Sequence, residues 1–280
     1  MSFRTYYDVV GSDRSRLGEQ VAMQRARVAA RLQDVKRVVA VMSGKGGVGK
    51  SFVTAALALA AARREASIGV VDGDLQSPTI ARLLDVARAP LEVGADGVLP
   101  ALARDGIGVM SSDLLIEEGH ALRWDSDAGE EHVWRGALEA GMLRELIGDV
   151  RWGSLDVLLV DMPPDASRLT DLAALVPRVD GAIAVTIPTR ESERSVARAL
   201  DAAHAARVPV LGIVENMSGY CCQTCGDIGP LFDGKAGTRL ATMHGIPLLA
   251  RIPFTHAPLD DVATSLASVA HTVLSLAVAP

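Results

Sequence analysis

Residues 43–51 read SGKGGVGKS, and this stretch limits the fold more than any other in the chain. It follows a β-branched run, RVVAVM at residues 37–42, and precedes an alanine- and leucine-rich stretch, residues 49–64, that suits a helix. Gly44 to Ser51 match the phosphate-loop pattern G-x-x-x-x-G-K-S/T in full. Glycines let backbone N–H groups converge on phosphate oxygens without Cβ clashes. The helix that follows offers its positive end to the same anion. In such a loop Lys50 neutralises the β- and γ-phosphates and the Ser51 hydroxyl ligates Mg²⁺. The candidate nucleotide-binding residues are therefore Gly44, Lys45, Gly46, Gly47, Val48, Gly49, Lys50, Ser51 and Phe52.

The same strand-then-helix alternation continues along the chain. Strand candidates lie at residues 67–72, 107–110, 155–161, 181–187, 208–216 and 247–253, with helical stretches at about 191–206 and 261–278. LDVLLVD at residues 155–161 is continuously apolar up to its final aspartate, as a strand buried on both faces requires. Alternation of this kind predicts an α/β fold, a doubly wound, mostly parallel sheet flanked by helices. One nucleotide-binding domain is expected over residues 36–280. Residues 1–35 are expected to be an amphipathic helical extension, on the spacing of Leu17, Val21, Val28, Leu32 and Val35. Residues 117–131, EEGHALRWDSDAGEE, read as a long surface loop.

Two carboxylate positions fit phosphate chemistry. VVDGDLQSP closes the second strand with Asp72 and Asp74, either of which could face a γ-phosphate. A simpler role, in which both aspartates only cap the following turn, remains open. LLVDMPP ends a buried strand with Asp161, the position that holds Mg²⁺ directly or through water. Such a site lies at the carboxyl ends of the strands.

The three cysteines, Cys221, Cys222 and Cys225, all fall within the short segment GYCCQTCG. Cys222 and Cys225 form a C-x-x-C pair able to face one metal centre. Zinc sites and iron–sulfur clusters usually take four protein ligands. The histidines are dispersed, and His244 and His256 read as surface or packing residues. A symmetric dimer resolves the shortage, because two chains together supply a Cys₄ set. A zinc-stabilised dimer fits the same spacing.

KGGVGKS resembles the deviant phosphate loop of the MinD/ParA/nitrogenase-iron-protein class. In order, MSGKGGVGKS, VDGDLQSP, VWRGAL, WGSLDVLLVDMPP, PVLGIVENMS, CQTCG and GIPLLARIPF resemble the Mrp/ApbC-type iron–sulfur cluster carrier ATPases over roughly residues 36–275. The resemblance implies a P-loop ATPase that forms a homodimer, with Lys45 reaching the partner's nucleotide. It implies that Asp74 orients or deprotonates the attacking water and that Asn216 meets the adenine edge. Lys45, Lys50, Asp74 and Asp161 then form the catalytic set, and Ser51, Asp74 and Asp161 the magnesium set. It further implies a labile [4Fe–4S] cluster on Cys222 and Cys225 between subunits, a scaffold that loads it, and apo-client proteins that receive it. ATP and Mg²⁺ are the other implied cofactors.

The chain departs from that family where it has DMPPDASRLTD at residues 161–171. Asp165 stands where the family has a switch glycine near the γ-phosphate, so weak hydrolysis is expected. Cys221 beside Cys222 is a second departure. A net charge of −6 and a sequence pI of about 5.5 argue against a nucleic-acid surface. No apolar run reaches membrane-spanning length, and the N-terminus carries charges where a signal peptide has an apolar segment. A cytoplasmic location, with neither membrane nor nucleic acid as partner, is expected. A positioning ATPase of the MinD/ParA kind would need a basic amphipathic end, and residues 260–280 contain no lysine or arginine.

Overall fold

The computed structural model describes residues 17–115, 131–165, 168–222 and 224–278. The first strand, β1 (Val38–Ser43), is buried at all six positions and leads into helix α2 (Lys50–Ala62). Strands β2 (Ile68–Asp72), β5 (Val157–Asp161) and β6 (Gly181–Thr186) are buried at every position as well. Around them stand β3 (Ala101–Leu102), β4 (Gly108–Met110), β7 (Val210–Cys221), β8 (Ile228–Gly229) and β9 (Leu248–Phe254). The sheet runs β8-β7-β6-β1-β5-β2-β4-β3, and β9 also pairs with β7. All pairs among β1, β2, β4, β5, β6, β7 and β9 are parallel, while β3 and β8 add antiparallel edges. This is the expected doubly wound, mostly parallel sheet.

Alternation along β1 divides the core. Val39 and Val41 face one layer, which holds Leu57 and Leu59 of α2 and the closing helices α7 (Leu259–Ser265) and α8 (Ala267–Leu274). Val38, Ala40 and Met42 face the other layer. That layer holds α1 (Leu17–Arg31), α3 (Glu131–Gly148), α4 (Arg168–Leu175), α5 (Arg190–Ala205) and α6 (Ala236–His244). Val28 of α1 and Leu32 just beyond it are buried, and the Arg31 Nε donates to the Gly148 carbonyl at 3.3 Å.

Three features differ from the sequence expectation or fall outside what is described. β7 does not stop at Asn216 but runs on to Cys221, because β8 and β9 pair with its extension. The closing helix breaks at Leu266 into α7 and α8. The stretch expected as a surface loop, residues 117–131, lies outside the described residues except for Glu131, which opens α3. Among the described residues, no helix is long and apolar enough to cross a membrane.

Candidate functional site

The glycines of the loop between β1 and α2 serve different purposes. Gly47 and Gly49 take left-handed backbone, at φ +76° and +78°. Gly44 has no room for a side chain, since a Cβ would stand 2.0 Å from the carbonyl carbon of Ser195 in α5. At Gly49 a Cβ would stand 2.2 Å from Nδ2 of Asn216. That amide donates to the Val48 carbonyl at 2.9 Å, so the loop leans on β7. Phe52 is half-buried against the α2 side of the core. Gly46 and Gly47 are exposed. The Lys45 ammonium makes no hydrogen bond or ion pair among the described residues.

Asp161 is the hub beneath the loop. Its side chain is fully buried and Lys50 is 6% exposed. Lys50 Nζ and Ser51 Oγ each lie 2.6 Å from Asp161 Oδ2, and Thr54 Oγ1 donates to Asp161 Oδ1 at 2.7 Å. Thr54 was not singled out from the sequence. A lone hydroxyl in an otherwise apolar run of α2, three residues after Ser51, was the available signal.

The two aspartates after β2 separate clearly. Asp72 lies opposite Asp161 in the β2–β5 ladder and is fully buried. It accepts the N–H groups of Thr79, Ile80 and Asp74 at 2.9, 3.0 and 3.2 Å and the Ser111 hydroxyl at 3.1 Å. Burial first, and the Asp161 charge second, push its carboxyl up to about 7. Asp72 is therefore committed to the backbone that follows it. Asp74 is half-buried, its carboxyl raised by burial and opposed by the Lys50 charge. It opens onto a cavity of about 380 Å³ that Gly46, Gly47, Asp165 and Arg168 also line. The Asp165 N–H donates to the Pro163 carbonyl at 2.8 Å. Glu139, on the cavity wall, pairs with Arg168 and accepts from Gln76 Nε2 at 2.6 Å. These partners lie 29 and 63 residues from Glu139 in sequence and carry no local pattern that would reveal them.

The thiols sit apart, where β7 turns into β8. Cys221 pairs with Ile228 across the hairpin. Cys222 N–H donates to the Asp227 carbonyl, and Gly226 N–H to the Cys222 carbonyl, both at 2.9 Å. Gly226 takes φ +76° to close the turn. The neighbouring Cys225 and Thr224 N–H groups hold the Cys222 thiol below its usual value, and the Cys225 thiol turns to the Asp227 carboxylate at 3.4 Å. Cys221 Sγ instead turns back to the Gly226 carbonyl at 3.6 Å. All three thiols are free. Among the described residues, no three histidine, cysteine, aspartate or glutamate side chains form a group able to hold a metal ion. Exposed Tyr220, Ile228, Leu231 and Phe254 lie on the hairpin, beyond it, and on the paired strand. His256 stacks edge-on against Phe254 at 6.2 Å, a packing role, and His244 Nε2 is buried without a hydrogen-bond partner among the described residues.

An archaeal iron-sulfur cluster carrier protein from Saccharolobus solfataricus is 35% identical over 242 residues, 86% of this chain and 79% of the relative. The cytosolic Fe-S cluster assembly factor nubp2 of Danio rerio is 37% identical over 79% of this chain and 82% of its own. A nucleotide-binding protein from Archaeoglobus fulgidus, solved in complex with ADP and with cobalt found in it, superposes with a TM-score of 0.70. That protein is 34% identical, over 88% of this chain and 92% of its own. The model of the ParA group described as NUBPL iron-transfer P-loop NTPase matches residues 34–273, and the chain belongs to that family.

Proposed function

We propose that this P-loop NTPase binds and slowly hydrolyses ATP, works as a homodimer, and carries a [4Fe–4S] cluster as cargo between a scaffold and apo-client proteins. The carrying observation is the turn at Cys222 and Cys225. A C-x-x-C pair held on one tight turn, closed by the Cys222–Asp227 and Gly226–Cys222 backbone bonds, with the Cys222 thiol held below its usual value, makes half of a thiolate site. Two copies supply the four thiolates such a cluster takes. The family and its relatives named for iron–sulfur carriage support this reading. The relative named a cytosolic assembly factor supports a cytoplasmic setting.

In the nucleotide site, Gly46, Gly47 and the start of α2 receive the phosphates, and Lys50 exchanges its Asp161 partner for phosphate oxygen. Ser51 Oγ and Asp161 Oδ2 are adjacent hard oxygen donors and fit Mg²⁺. With Asp74 near its waters, that ion would supply charge neutralisation to the phosphates. Asp74 positions the attacking water, Asn216 borders the adenine, and Lys45, without a partner among the described residues of its own chain, serves the partner's nucleotide. Asp165 on the cavity wall keeps hydrolysis slow by repelling the γ-phosphate.

The test is anaerobic reconstitution with iron and sulfide, read by the visible thiolate-to-iron absorbance, metal content and mass in solution. A coloured dimer is expected, lost in Cys222→Ala and Cys225→Ala and retained in Cys221→Ala. A colourless protein with one zinc per dimer, or a monomer under these conditions, would overturn the reading.

A further inference from the structure

The cavity beside the phosphate loop has an unbalanced wall. Asp74, Glu139, Asp165 and Asp171 contribute four carboxylates, and Arg168 is the one cation among the described lining residues. An anion seated against Gly46 and Gly47 enters a space where negative charge dominates. Like charges at short range in a partly dry site repel strongly. Lys50 is not among the residues that line this cavity and rests on Asp161, so it answers a bound phosphate from the loop while the outer wall keeps its excess of negative charge.

We propose that Arg168 is a second cation for the γ-phosphate of a nucleoside triphosphate, supplied by the same chain and held in reserve by Glu139. The inference rests on the nucleotide reading above. Arg168 is the first residue of α4, and its side chain is 22% exposed. Its backbone N–H donates to the Asp165 carbonyl at 3.2 Å, so the guanidinium can turn without moving the helix. Its resting partners are Glu139 and, at 3.5 Å, Asp171. Glu139 is nearly buried and would be costly to leave bare. Gln76 Nε2 stays on its other oxygen at 2.6 Å, so Glu139 keeps a donor when Arg168 leaves. A planar guanidinium fork matches phosphate oxygens two at a time. The same exchange would offset Asp165, which stands three residues before Arg168.

The test compares two ligands that differ only in the γ-group. ADP and a non-hydrolysable ATP analogue are titrated into wild type, Arg168→Ala, Arg168→Lys and Glu139→Gln. In Arg168→Ala the triphosphate analogue weakens by about tenfold while ADP stays within about twofold. Arg168→Lys falls between, and Glu139→Gln binds the triphosphate more tightly because the arginine is released. Equal losses for both nucleotides would make Arg168 a structural clamp and overturn the proposal, as would no loss at all. If Arg168→Ala does not fold, Glu139→Gln decides: weaker or unchanged triphosphate binding overturns it. A wild type that binds neither nucleotide overturns the nucleotide reading itself.

Discussion

Gly44→Ala is the sharpest test of how the phosphate loop is seated. The added Cβ would stand 2.0 Å from the Ser195 carbonyl carbon, 2.1 Å from its oxygen and 2.5 Å from the Val196 nitrogen. These are backbone atoms of α5, so no rotamer change can make room, and loop and helix must part by more than an ångström. The helix resists, because Ser192, Val196, Ala199, Leu200 and Ala203 bury its inner face. Overpacking that side chains can absorb costs about 1–3 kcal/mol, and a rigid backbone contact belongs at the upper end, about 3 kcal/mol. For a chain of this size each kcal/mol moves the melting temperature by roughly 2–4 °C, so a fall of about 6–12 °C follows. Gly47→Ala is the control. Among the described residues nothing lies within 4 Å of its Cβ position, and its left-handed φ of +76° alone costs about 1–2 kcal/mol. Thermal unfolding followed by circular dichroism, with and without ADP, separates the two. Gly44→Ala melts well below Gly47→Ala, whereas Gly47→Ala mainly loses the stabilisation that ADP confers. A Gly44→Ala protein that melts within 2 °C of wild type, an interval below one kcal/mol, would refute the reasoning.

Urea unfolding of Lys50→Met, Asp161→Leu and the double variant should show strong coupling. Each single change leaves a buried charge without its partner at about 3–5 kcal/mol, and the pair together costs less than the sum; additive losses would count against the ion pair. Asp72, pushed up from 3.8 to about 7, is protonated in the fold while ionised in the unfolded chain across that window. Stability at this group is therefore lost as pH rises from about 4 to 7, by about 4 kcal/mol at most, and Asp72→Asn should flatten that slope in urea midpoints at pH 5 and 8; an unaltered slope would argue otherwise. Steady-state ATP hydrolysis should rise in Asp165→Gly, and an unchanged rate removes the case for repulsion at that position. Asn216→Ala leaves the Val48 carbonyl without its buried donor, at about 1–3 kcal/mol, and should shrink the thermal shift given by ADP; a full-sized shift would separate β7 from the loop.

The sheet was legible because its strands are buried on both faces. RVVAVM, SIGVVD and LDVLLVD have no polar face to confuse the period, and their observed bounds lie within two residues of the expected ones. β7 misled because Asn216, Ser218 and Gly219 have turn chemistry and Met217 sits at φ +51° in an irregular step, and the strand resumes beyond them because Tyr220 and Cys221 pair with β9 and β8. Asp72 and Asp74 looked interchangeable because each closes a strand two positions apart. Ser111, 39 residues away, and the amides of Thr79 and Ile80 distinguish them. Glu139, Gln76 and Arg168 were missed for the same reason, since their chemistry exists only once α3, α4 and the segment after β2 converge.

The length of β7 carries a further consequence. β1 and β6 have six residues each and β7 has twelve. Its first half lies in the sheet beside β6, and Asn216 holds the phosphate loop through Val48. Its second half pairs only with β9 and β8 and ends on Cys221, at most about 17 Å further at the rise of an extended strand. Between them Met217 sits at φ +51°, a conformation costing a side-chain-bearing residue about 1 kcal/mol. Packing of Met217 on the α2 side of the core, beside Gly49, holds the kink in place. A loop that shifts on its phosphate therefore pulls on an amide at the root of a stiff strand whose tip bears the thiols. The kink sets the direction in which that tip leaves the nucleotide face, with Tyr220, Ile228 and Phe254 exposed around it. A strand confined to the sheet would hold the nucleotide equally well. In the proposed dimer, the extra residues would bring the sulfur atoms out toward the second copy.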